Sequence, residues 1–416
     1  MGLDPTRTIA ELKELRELTS DENGAQRVAW TECWQSARDW FQTKLIGLPV
    51  EHHLDPAGNS WVTLPGESER VLILGSHLDS VPNGGWLDGA LGVLTGLEIL
   101  RRFNEEFEGK PPLTIRLVDW ADEEGARFGR SLLGSSAFAG NHTIAADRGK
   151  LDRDGIRLEA ALREYGVEIH QFPEAEIEQR HAEAYLELHI EQGPILERHG
   201  LPLAVVTGTK GVERHKITFF GQEAHSGATP MTERKDALVP LSKLALEIYN
   251  IAGKHPDAVS TIGSVKTFPG IVTAVVGRCE ATLDQRDLSP AVLAQMLSDA
   301  ENASQQFAEE AHCLVAWEKI LNIAPIAFDR QLMHLCGQAI SEMGCDVVHL
   351  PSGPLHDAAE VSRAGIPSVM MFVQSLRGIS HNKIEDTNED HLELAVRAMD
   401  RLASKAAAWI LAQRPG

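Results

Sequence analysis

The residues best suited to chemistry are histidines and carboxylates in turn-like segments or at predicted strand ends. They are His77, Asp79, Asp88, Glu123, Glu124, His189 and His381. Imidazole and carboxylate groups are common ligands of divalent metals in hydrolytic sites. One carboxylate can bridge two cations through its two oxygens, and a carboxylate that stays free can take a proton from water. The set therefore indicates a two-metal hydrolytic site.

Three of these residues lie in the segment 75–92, GSHLDSVPNGGWLDGALG. His77 and Asp79 are two positions apart at a predicted strand end, so their side chains point to the same side, and the carboxylate can orient the imidazole. Asp88 follows a glycine-rich loop, where it could bridge two cations. It could instead cap the helix that begins near Gly89. A cap would leave His77 unexplained, so we favour the metal role.

The remaining candidates are ambiguous when taken singly. Glu123 and Glu124 end an apolar strand, where like charges are costly unless a cation or a shared proton compensates them, but acidic pairs are also common in solvated turns. A lone strand histidine such as His189 is more often a core residue than a ligand. His381 precedes Asn382 in a turn rich in glycine and serine. Only the whole set favours a metal site.

The predicted elements alternate between strands and helices in two parts of the chain. Strands are predicted over 71–76, 113–121, 185–190 and 366–373, and helices over 27–45, 90–103, 329–343 and 390–411. This alternation implies a parallel or mixed sheet, whose carboxyl ends usually bind ligands. The segment 146–182 is highly charged and is predicted to be a solvated excursion.

The pattern changes after about Thr207. A strand is predicted over 216–221, helices over 236–253 and 290–311, and strands near 260–265, 271–277 and 279–286. We therefore expect a discontinuous α/β catalytic domain, residues 1–208 and 327–416, with a mixed, largely parallel sheet flanked by helices. Residues 209–326 should form an inserted α+β domain.

Composition limits the classes of function. A chain of 416 residues with 43% hydrophobic content exceeds the usual size of a single core, and a formal charge of −21 argues against nucleic acid or an anionic membrane as partner. The five cysteines form no C-x-x-C pair, so neither a disulfide framework nor a thiolate zinc site is indicated. No apolar signal segment or run of about 20 apolar residues is present, so we expect a cytoplasmic protein.

These segments, in this order, closely resemble the dinuclear zinc hydrolases of the aminoacylase/carboxypeptidase superfamily. The resemblance is to the branch of N-carbamoyl-L-amino-acid hydrolases and allantoate amidohydrolases, and it covers nearly the whole chain. It rests on GSHLDSVPNGGWLDGALG, DEEGARF with GSSAFAG, LHIEQGPILE, AHSGATPM and GISHNKIEDT.

The resemblance implies a role for each candidate. The implied metal ligands are His77, Asp88, Glu124, His189 and His381. Asp88 would bridge two divalent ions, which could be zinc, manganese or cobalt. Glu123 would act as the general base, and Asp79 would orient His77. The inserted domain would be a lid and dimerisation domain, with His225 of one subunit reaching the active site of its partner in a homodimer.

The resemblance also implies a substrate pocket that departs from the family pattern. Arg286 matches an arginine that binds the substrate carboxylate, although a salt bridge with Asp284 or Asp287 is an alternative, and Gln192 and His356 match pocket residues. Val212 and Thr273 replace a glutamine and an asparagine that contact the carboxylate end of the substrate. The distal end of the substrate should therefore differ from that of a standard carbamoyl amino acid.

The reaction expected is metal-dependent hydrolysis of a linear C–N amide or ureido bond. The substrate would be a small N-carbamoyl amino acid or a related ureido compound. Two alternatives remain: an N-acyl amino-acid deacylase or dipeptidase with the same metal chemistry, and a non-catalytic binding protein on the same scaffold.

Overall fold

The chain forms two structural units in a computed structural model that describes residues 2–413. One unit runs up to Thr207 and resumes at Phe328, and the other is Gly208–Ala327. The sequence predicts the two breaks at 208/209 and 326/327. The unit that carries the predicted metal ligands is therefore discontinuous along the chain.

The bounds of the regular elements are as follows. The α-helices of the described chain are α1 (Pro5–Thr19), α2 (Glu32–Thr43), α3 (Ala90–Glu106), α4 (Leu133–Phe138), α5 (Ile144–Asp147), α6 (Leu158–Glu164), α7 (Ile195–His199), α8 (Leu238–Gly253), α9 (Pro290–Glu310), α10 (Arg330–Glu342), α11 (Asp357–Arg363) and α12 (Glu389–Ala412). The strands are β1 (Ser20–Asp21), β2 (Gly24–Ala25), β3 (Glu51–Leu54), β4 (Ser60–Leu64), β5 (Val71–His77), β6 (Thr114–Trp120), β7 (Ala182–Ile190), β8 (Leu203–Thr209), β9 (Gly211–Phe220), β10 (Ala224–His225), β11 (Val259–Phe268), β12 (Ala274–Val275), β13 (Arg278–Asp287), β14 (Leu314–Ile323), β15 (Ile326–Ala327), β16 (His349–Ser352) and β17 (Ser368–Val373). Further segments, Ile169–Gln179, Met231–Glu233 and Leu376–Gly378, are 3₁₀ helices. Within this described part, no helix is both long enough and apolar enough to cross a membrane.

The strands of the first unit's sheet follow the order β8-β17-β7-β5-β6-β4-β3, and β16 pairs with β8 off this path. Its central strands β17, β7, β5 and β6 are mutually parallel, whereas β8, β4 and β3 pair antiparallel at the edges. Every residue of β5 is buried: Leu72 and Leu74 join the core that contains α3 and α12, and Ile73 alternates to the opposite face. Strands that are buried on both faces are typical of sheets covered by helices. The predicted α/β fold with a mixed sheet is confirmed.

Helix α1 was not expected from the sequence, although its start carries a clear signal. The carboxylate of Asp4 accepts hydrogen bonds from the backbone N–H groups at the helix start, and Pro5 occupies the first helical position. Ile9, Leu12 and Leu15 recur every third residue and are buried in the core of the first unit. This apolar face holds α1 against the domain.

The helix predicted over 27–45 begins five residues later, at Glu32. Trp30 has a φ of 62°, in the left-handed region that a right-handed helix cannot include. The hydroxyl of Thr31 then accepts a hydrogen bond from the backbone N–H of Trp34 at 3.4 Å and caps the helix. Residues 27–31 therefore form an ordered turn ahead of the helix.

The segment 146–182 is not the solvated excursion that its charge predicts. Leu158, Leu162 and Phe172 are buried in a cluster that also contains Trp34. The charged residues lie around this apolar set, so counting charge over the whole segment concealed its packing face. The segment is part of the first unit.

The second unit is a layer of antiparallel strands covered by two helices. Its sheet has the order β11-β13-β9-β14. Ile217 and Leu283 point from the sheet into a core with Leu244 of α8 and Met296 of α9. Successive residues of β13 alternate between buried and partly exposed, as expected when one sheet face packs on helices and the other faces solvent.

Candidate metal centre

The strand ends of the first unit bring the candidate ligands together. His77 is the last residue of β5, and His189 is the next-to-last residue of β7. Glu123 and Glu124 follow β6, and His381 follows β17 after a 3₁₀ turn. Because these strands are parallel, their carboxyl ends lie along the same edge of the sheet, where α/β proteins bind ligands.

Asp88 lies between two sets of potential ligands. Its Oδ1 is 3.1 Å from His189 Nε2 and 3.7 Å from His77 Nε2, and its Oδ2 is 3.4 Å from His381 Nε2. Glu124 Oε2 lies 3.3 Å from the same His381 nitrogen. The ligand atoms of His77, Asp88 and His189 all lie within 4.8 Å of one another, as do those of Asp88, Glu124 and His381. One carboxylate thus faces both sets, as bridging requires.

Asp88 does not cap the following helix. The N-cap of α3 is Gly89, and no side chain makes a capping hydrogen bond there. Gly89 has a φ of 65°, and a Cβ at this position would lie 2.4 Å from the ring of His77. The glycine therefore gives both the left-handed turn and the space that the imidazole occupies.

Hydrogen bonds to backbone carbonyls fix the orientation of two imidazoles. The Nδ1–H group of His77 donates to the carbonyl oxygen of Asp79 at 3.0 Å, and that of His189 donates to the carbonyl of Ile190 at 2.9 Å. Each Nε2 is then left as the atom that can bind a metal. Nε2 of both histidines and Oε1 of Glu124 are buried without a hydrogen-bond partner among the described residues.

The electrostatics of the site favour a cation. Burial raises the pKa of Glu123 well above its usual value, and the charges of Asp357 and Glu124 raise it further. Burial also lowers the pKa of His77 to about 4, which leaves a neutral imidazole, whereas at His189 burial is outweighed by the neighbouring Asp88 carboxylate, which raises the pKa to about 9. Crowded buried carboxylates are costly unless positive charge compensates them, and metals require unprotonated ligands. These nitrogen and oxygen donors therefore fit divalent metal ions, and three of them lack a hydrogen-bond partner among the described residues.

Asp79 contacts His77 and the acid pair through different groups. Its carboxylate accepts hydrogen bonds from the backbone N–H of Glu123 at 3.1 Å and of Glu124 at 3.2 Å. The nearest carboxylate oxygen lies 3.6 Å from His77 Nδ1, farther than the carbonyl oxygen that this nitrogen reaches. The side chain of Asp79 thus holds the turn of the acid pair, and its backbone orients the histidine.

The carboxylate of Glu123 lies beside His77 and belongs to neither of the two ligand sets. Its side chain is 9% exposed, and its Oε2 lies 3.8 Å from His77 Nε2. The solvated-turn alternative does not describe this residue, because the carboxylate is buried. A carboxylate beside a metal centre that ligates nothing is suited to accept and return a proton.

Gln192 lies against the proposed bridging carboxylate. Its Nε2 group donates to Asp88 Oδ2 at 2.8 Å and to the hydroxyl of Ser380 at 3.1 Å. Ser380 also donates to Asp88 Oδ2, at 2.9 Å. The predicted pocket residue thus belongs to the hydrogen-bond network of the site.

The ring of His356 packs against that of His189. The two ring centroids are 4.4 Å apart, and His356 Nε2 lies 2.9 Å from the hydroxyl of Ser352.

Glu187, on the same strand as His189, could form a further metal-binding group with His189 and His356. Its oxygens, however, already accept hydrogen bonds from Ser76, Tyr185 and the backbone of Ala358. We therefore regard Glu187 as a buried support of the site.

Sequence reasoning missed Glu385, whose carboxylate supports the backbone at Asp88. Oε1 of Glu385 accepts hydrogen bonds from the backbone N–H groups of Leu87 and Asp88, both at 3.1 Å. Burial raises the pKa of Glu385 to about 7, and the charge of Asp88 contributes. Its only sequence signal is its position in GISHNKIEDT, four residues after His381.

The other predicted residues lie in the second unit. His225 pairs with Ala274 in the short β10–β12 ladder, and the backbone N–H of Ser226 donates to the carbonyl of Thr273 at 2.9 Å. The side chains of His225 and Thr273 are exposed. The structure thus brings these two positions close to each other at one end of the unit.

Val212 and Arg286 are directly opposite each other on β9 and β13. Val212 is buried, and the Nε–H group of Arg286 donates to Asp284 Oδ1 at 2.9 Å. Arg214 binds the other oxygen of the same carboxylate at 2.6 Å. The alternative ion pair of Arg286 with Asp284 is therefore present, and a role of Arg286 in substrate binding stays a prediction.

The fold and the site define a known class of hydrolase. The family model of Peptidase family M20/M25/M40 matches residues 73–405, and the chain belongs to this family. The predicted resemblance to this group of enzymes is confirmed.

Individual relatives are similar over almost their entire lengths. The chain is 34% identical over 390 residues to the N-carbamoyl-L-amino acid amidohydrolase of Geobacillus stearothermophilus, covering 92% of this chain and 94% of that protein. It is 31% identical over 391 residues to the allantoate amidohydrolase of Bacillus subtilis (strain 168), covering 93% and 94%. A crystal structure of an amidase of the hydantoinase/carbamoylase family from Burkholderia multivorans has a TM-score of 0.88 at 31% identity, covering 97% and 98% of the two chains.

Proposed function

We propose that this protein hydrolyses a linear C–N bond in a small N-carbamoyl amino acid or a related ureido compound. The observation that carries the proposal is the position of Asp88, whose two oxygens face separate sets of ligands while Glu123 lies buried beside them. The names of the relatives, N-carbamoyl-L-amino acid amidohydrolase and allantoate amidohydrolase, support the class of substrate.

Two divalent metal ions per subunit are part of the proposal. His77 and His189 would hold one ion, Glu124 and His381 would hold the other, and Asp88 would bridge them. Bound divalent ions supply Lewis acidity, which lowers the pKa of water and polarises a carbonyl group. Zinc, manganese and cobalt all suit imidazole and carboxylate ligands, and their availability selects among them.

Glu123 performs the proton transfers in this mechanism. Its carboxylate accepts a proton from the attacking water and returns it to the departing nitrogen as the C–N bond breaks. Asp79 keeps Glu123 in place by accepting its backbone N–H. A carbamoyl substrate would give an amine or amino acid together with carbon dioxide and ammonia.

The remaining roles complete the proposal. Contacts to the substrate are assigned to Gln192, Arg286, His356, Val212 and Thr273. His225 of one subunit would stabilise the oxyanion in the partner's active site of a homodimer, which its exposed position on a short strand supports. A location in the cytoplasm stays a prediction.

A substrate panel tests the function. The protein is loaded separately with zinc, manganese or cobalt and incubated with N-carbamoyl amino acids, allantoate, N-acetyl amino acids and dipeptides, and released ammonia and amine are measured. Ammonia release from carbamoyl or ureido compounds, absent in Glu123→Gln, supports the proposal. Turnover of only acetyl compounds or dipeptides would assign the deacylase or dipeptidase alternative. No turnover with any metal would favour a binding protein.

A further inference from the structure

A buried hydrogen bond links an N-terminal tryptophan to the segment that carries the general base. The indole Nε1–H of Trp30 donates to Asp122 Oδ2 at 2.9 Å, and both side chains are buried. Asp122 immediately precedes Glu123. Trp30 lies before residue 73, where the match to the family model begins.

Asp122 has a backbone conformation that must be held. Its φ is 58°, in the left-handed region, which is unfavourable for a residue other than glycine unless its surroundings hold it. This conformation turns the chain between the end of β6 and Glu123. The side chain of Asp122 itself accepts the hydrogen bond from Trp30. This bond therefore restrains the turn at the residue with the left-handed conformation.

Trp30 is itself well anchored. Its ring centroid lies 4.8 Å from that of Trp34 and 6.1 Å from that of Tyr165. Its backbone carbonyl accepts a hydrogen bond from the guanidinium group of Arg127. The donor is therefore rigid, as a group that sets a precise geometry must be.

We propose that Trp30 is a positioning residue for Glu123, acting through its hydrogen bond to left-handed Asp122. The inference rests on the proposed role of Glu123 as general base. Small displacements of a catalytic group lower the rate of the chemical step, whereas substrate contacts made elsewhere are preserved. Loss of the indole N–H should therefore affect kcat more than KM.

Trp30→Phe removes the donor and keeps an aromatic ring. Trp34→Phe is a matched control, because Trp34 is buried in the same cluster and its Nε1 has no hydrogen-bond partner among the described residues. We expect Trp30→Phe to lower kcat roughly 10- to 100-fold, with KM changed less than about twofold. Trp34→Phe keeps an aromatic ring against Trp30 and should leave both constants unchanged. Equal losses of kcat in the two variants, or no loss in either, would overturn the proposal.

Substitutions of Asp122 test the same bond from the other side. Asn at this position keeps an oxygen acceptor and tolerates a left-handed backbone, whereas Gly tolerates the backbone but has no acceptor. Asp122→Asn should therefore retain most of kcat, and Asp122→Gly should resemble Trp30→Phe. The idea fails if Asp122→Gly is as active as Asp122→Asn, and this comparison remains available if Trp30→Phe does not fold.

Hydrogen exchange gives a readout that needs no substrate. Backbone amides of residues 121–125 should exchange faster in Trp30→Phe than in the wild type, and at the wild-type rate in Trp34→Phe. Unchanged exchange in Trp30→Phe would refute the positioning role. Failure of the proposed function would appear separately, as a wild-type protein without turnover on the substrate panel.

Discussion

The carboxylate of Asp79 accepts a hydrogen bond from the backbone N–H of Glu123 at 3.1 Å. This bond connects Asp79, which follows β5, to the pair Glu123 and Glu124, which follows the neighbouring strand β6. We predict that Asp79→Ala lowers kcat about 10- to 100-fold, as losses of supporting contacts in metal sites commonly do. Steady-state kinetics of the metal-loaded protein measure the effect. Unaltered kcat in Asp79→Ala would show that the acid pair needs no such support.

Glu123→Gln should abolish most turnover while leaving the ligands in place. The amide has nearly the shape of the carboxylate but cannot accept a proton, so kcat should fall roughly 100- to 10,000-fold. Metal content, measured by mass spectrometry of the dialysed protein, should equal that of the wild type. Loss of metal from Glu123→Gln would instead identify Glu123 as a ligand.

Metal stoichiometry should depend on which ligand is removed. Asp88 faces both ligand sets, so Asp88→Ala should lose both ions, whereas His381→Ala should retain the ion held by His77 and His189. Metal content after dialysis tests this difference, with His334→Ala on the exposed face of α10 as the control. Retention of both ions in Asp88→Ala would contradict the bridging role.

Chelation of the wild type should abolish turnover, and added metal should restore it.

Mixing two inactive variants tests the predicted homodimer. If His225 acts in the partner's active site, a heterodimer of His225→Ala and Glu123→Gln subunits has one site with both groups intact. Random exchange of subunits should then restore about a quarter of the wild-type activity, because half of the dimers are mixed. Light scattering gives the oligomeric state directly. A monomer, or a mixture that stays inactive after subunit exchange, would contradict the proposal.

The buried ion pair of Arg38 and Asp119 should contribute strongly to stability. Arg38 Nε lies 2.7 Å from Asp119 Oδ2, and the side chains of Arg38 and Asp119 are 4% and 0% exposed. Arg38→Met leaves Asp119 charged and buried, which should lower the free energy of unfolding by about 3–5 kcal/mol. Lys13→Met breaks the pair with Glu389, whose side chains are 47% and 59% exposed, and should cost less than about 1 kcal/mol. Urea denaturation of the metal-free variants measures both, and equal losses would contradict the prediction.

The side chains that form the candidate metal centre could be selected from the sequence because each one lies in a short segment with an unusual composition. His77, Asp88 and Glu124 each lie beside a glycine or at a predicted strand end, and only their combination indicates a metal site. Their order along parallel strands then places them at one edge of a sheet. The alternation of strands and helices was sufficient to predict the α/β architecture with its mixed sheet.

The supporting residues could not be predicted, because their contacts span long stretches of chain. Trp30 reaches a residue 92 positions away, and Glu385 bonds to Leu87 and Asp88 across almost 300 positions. A buried tryptophan or glutamate has no local pattern that identifies its partner. The sequence pattern likewise predicts a helix at residues 27–31, where the chain forms a turn that contacts the site.

The position of β17 constrains the order in which the first unit can be completed on the ribosome. This strand lies between β7 and β8, yet it is synthesised after the entire second unit. A nascent chain that ends at Ala327 contains all residues of the second unit, but it lacks both the strand that joins β7 to β8 and the loop that carries His381. All residues of the second unit are thus available while the chain is still growing, and the candidate metal centre can become complete only when translation is nearly finished.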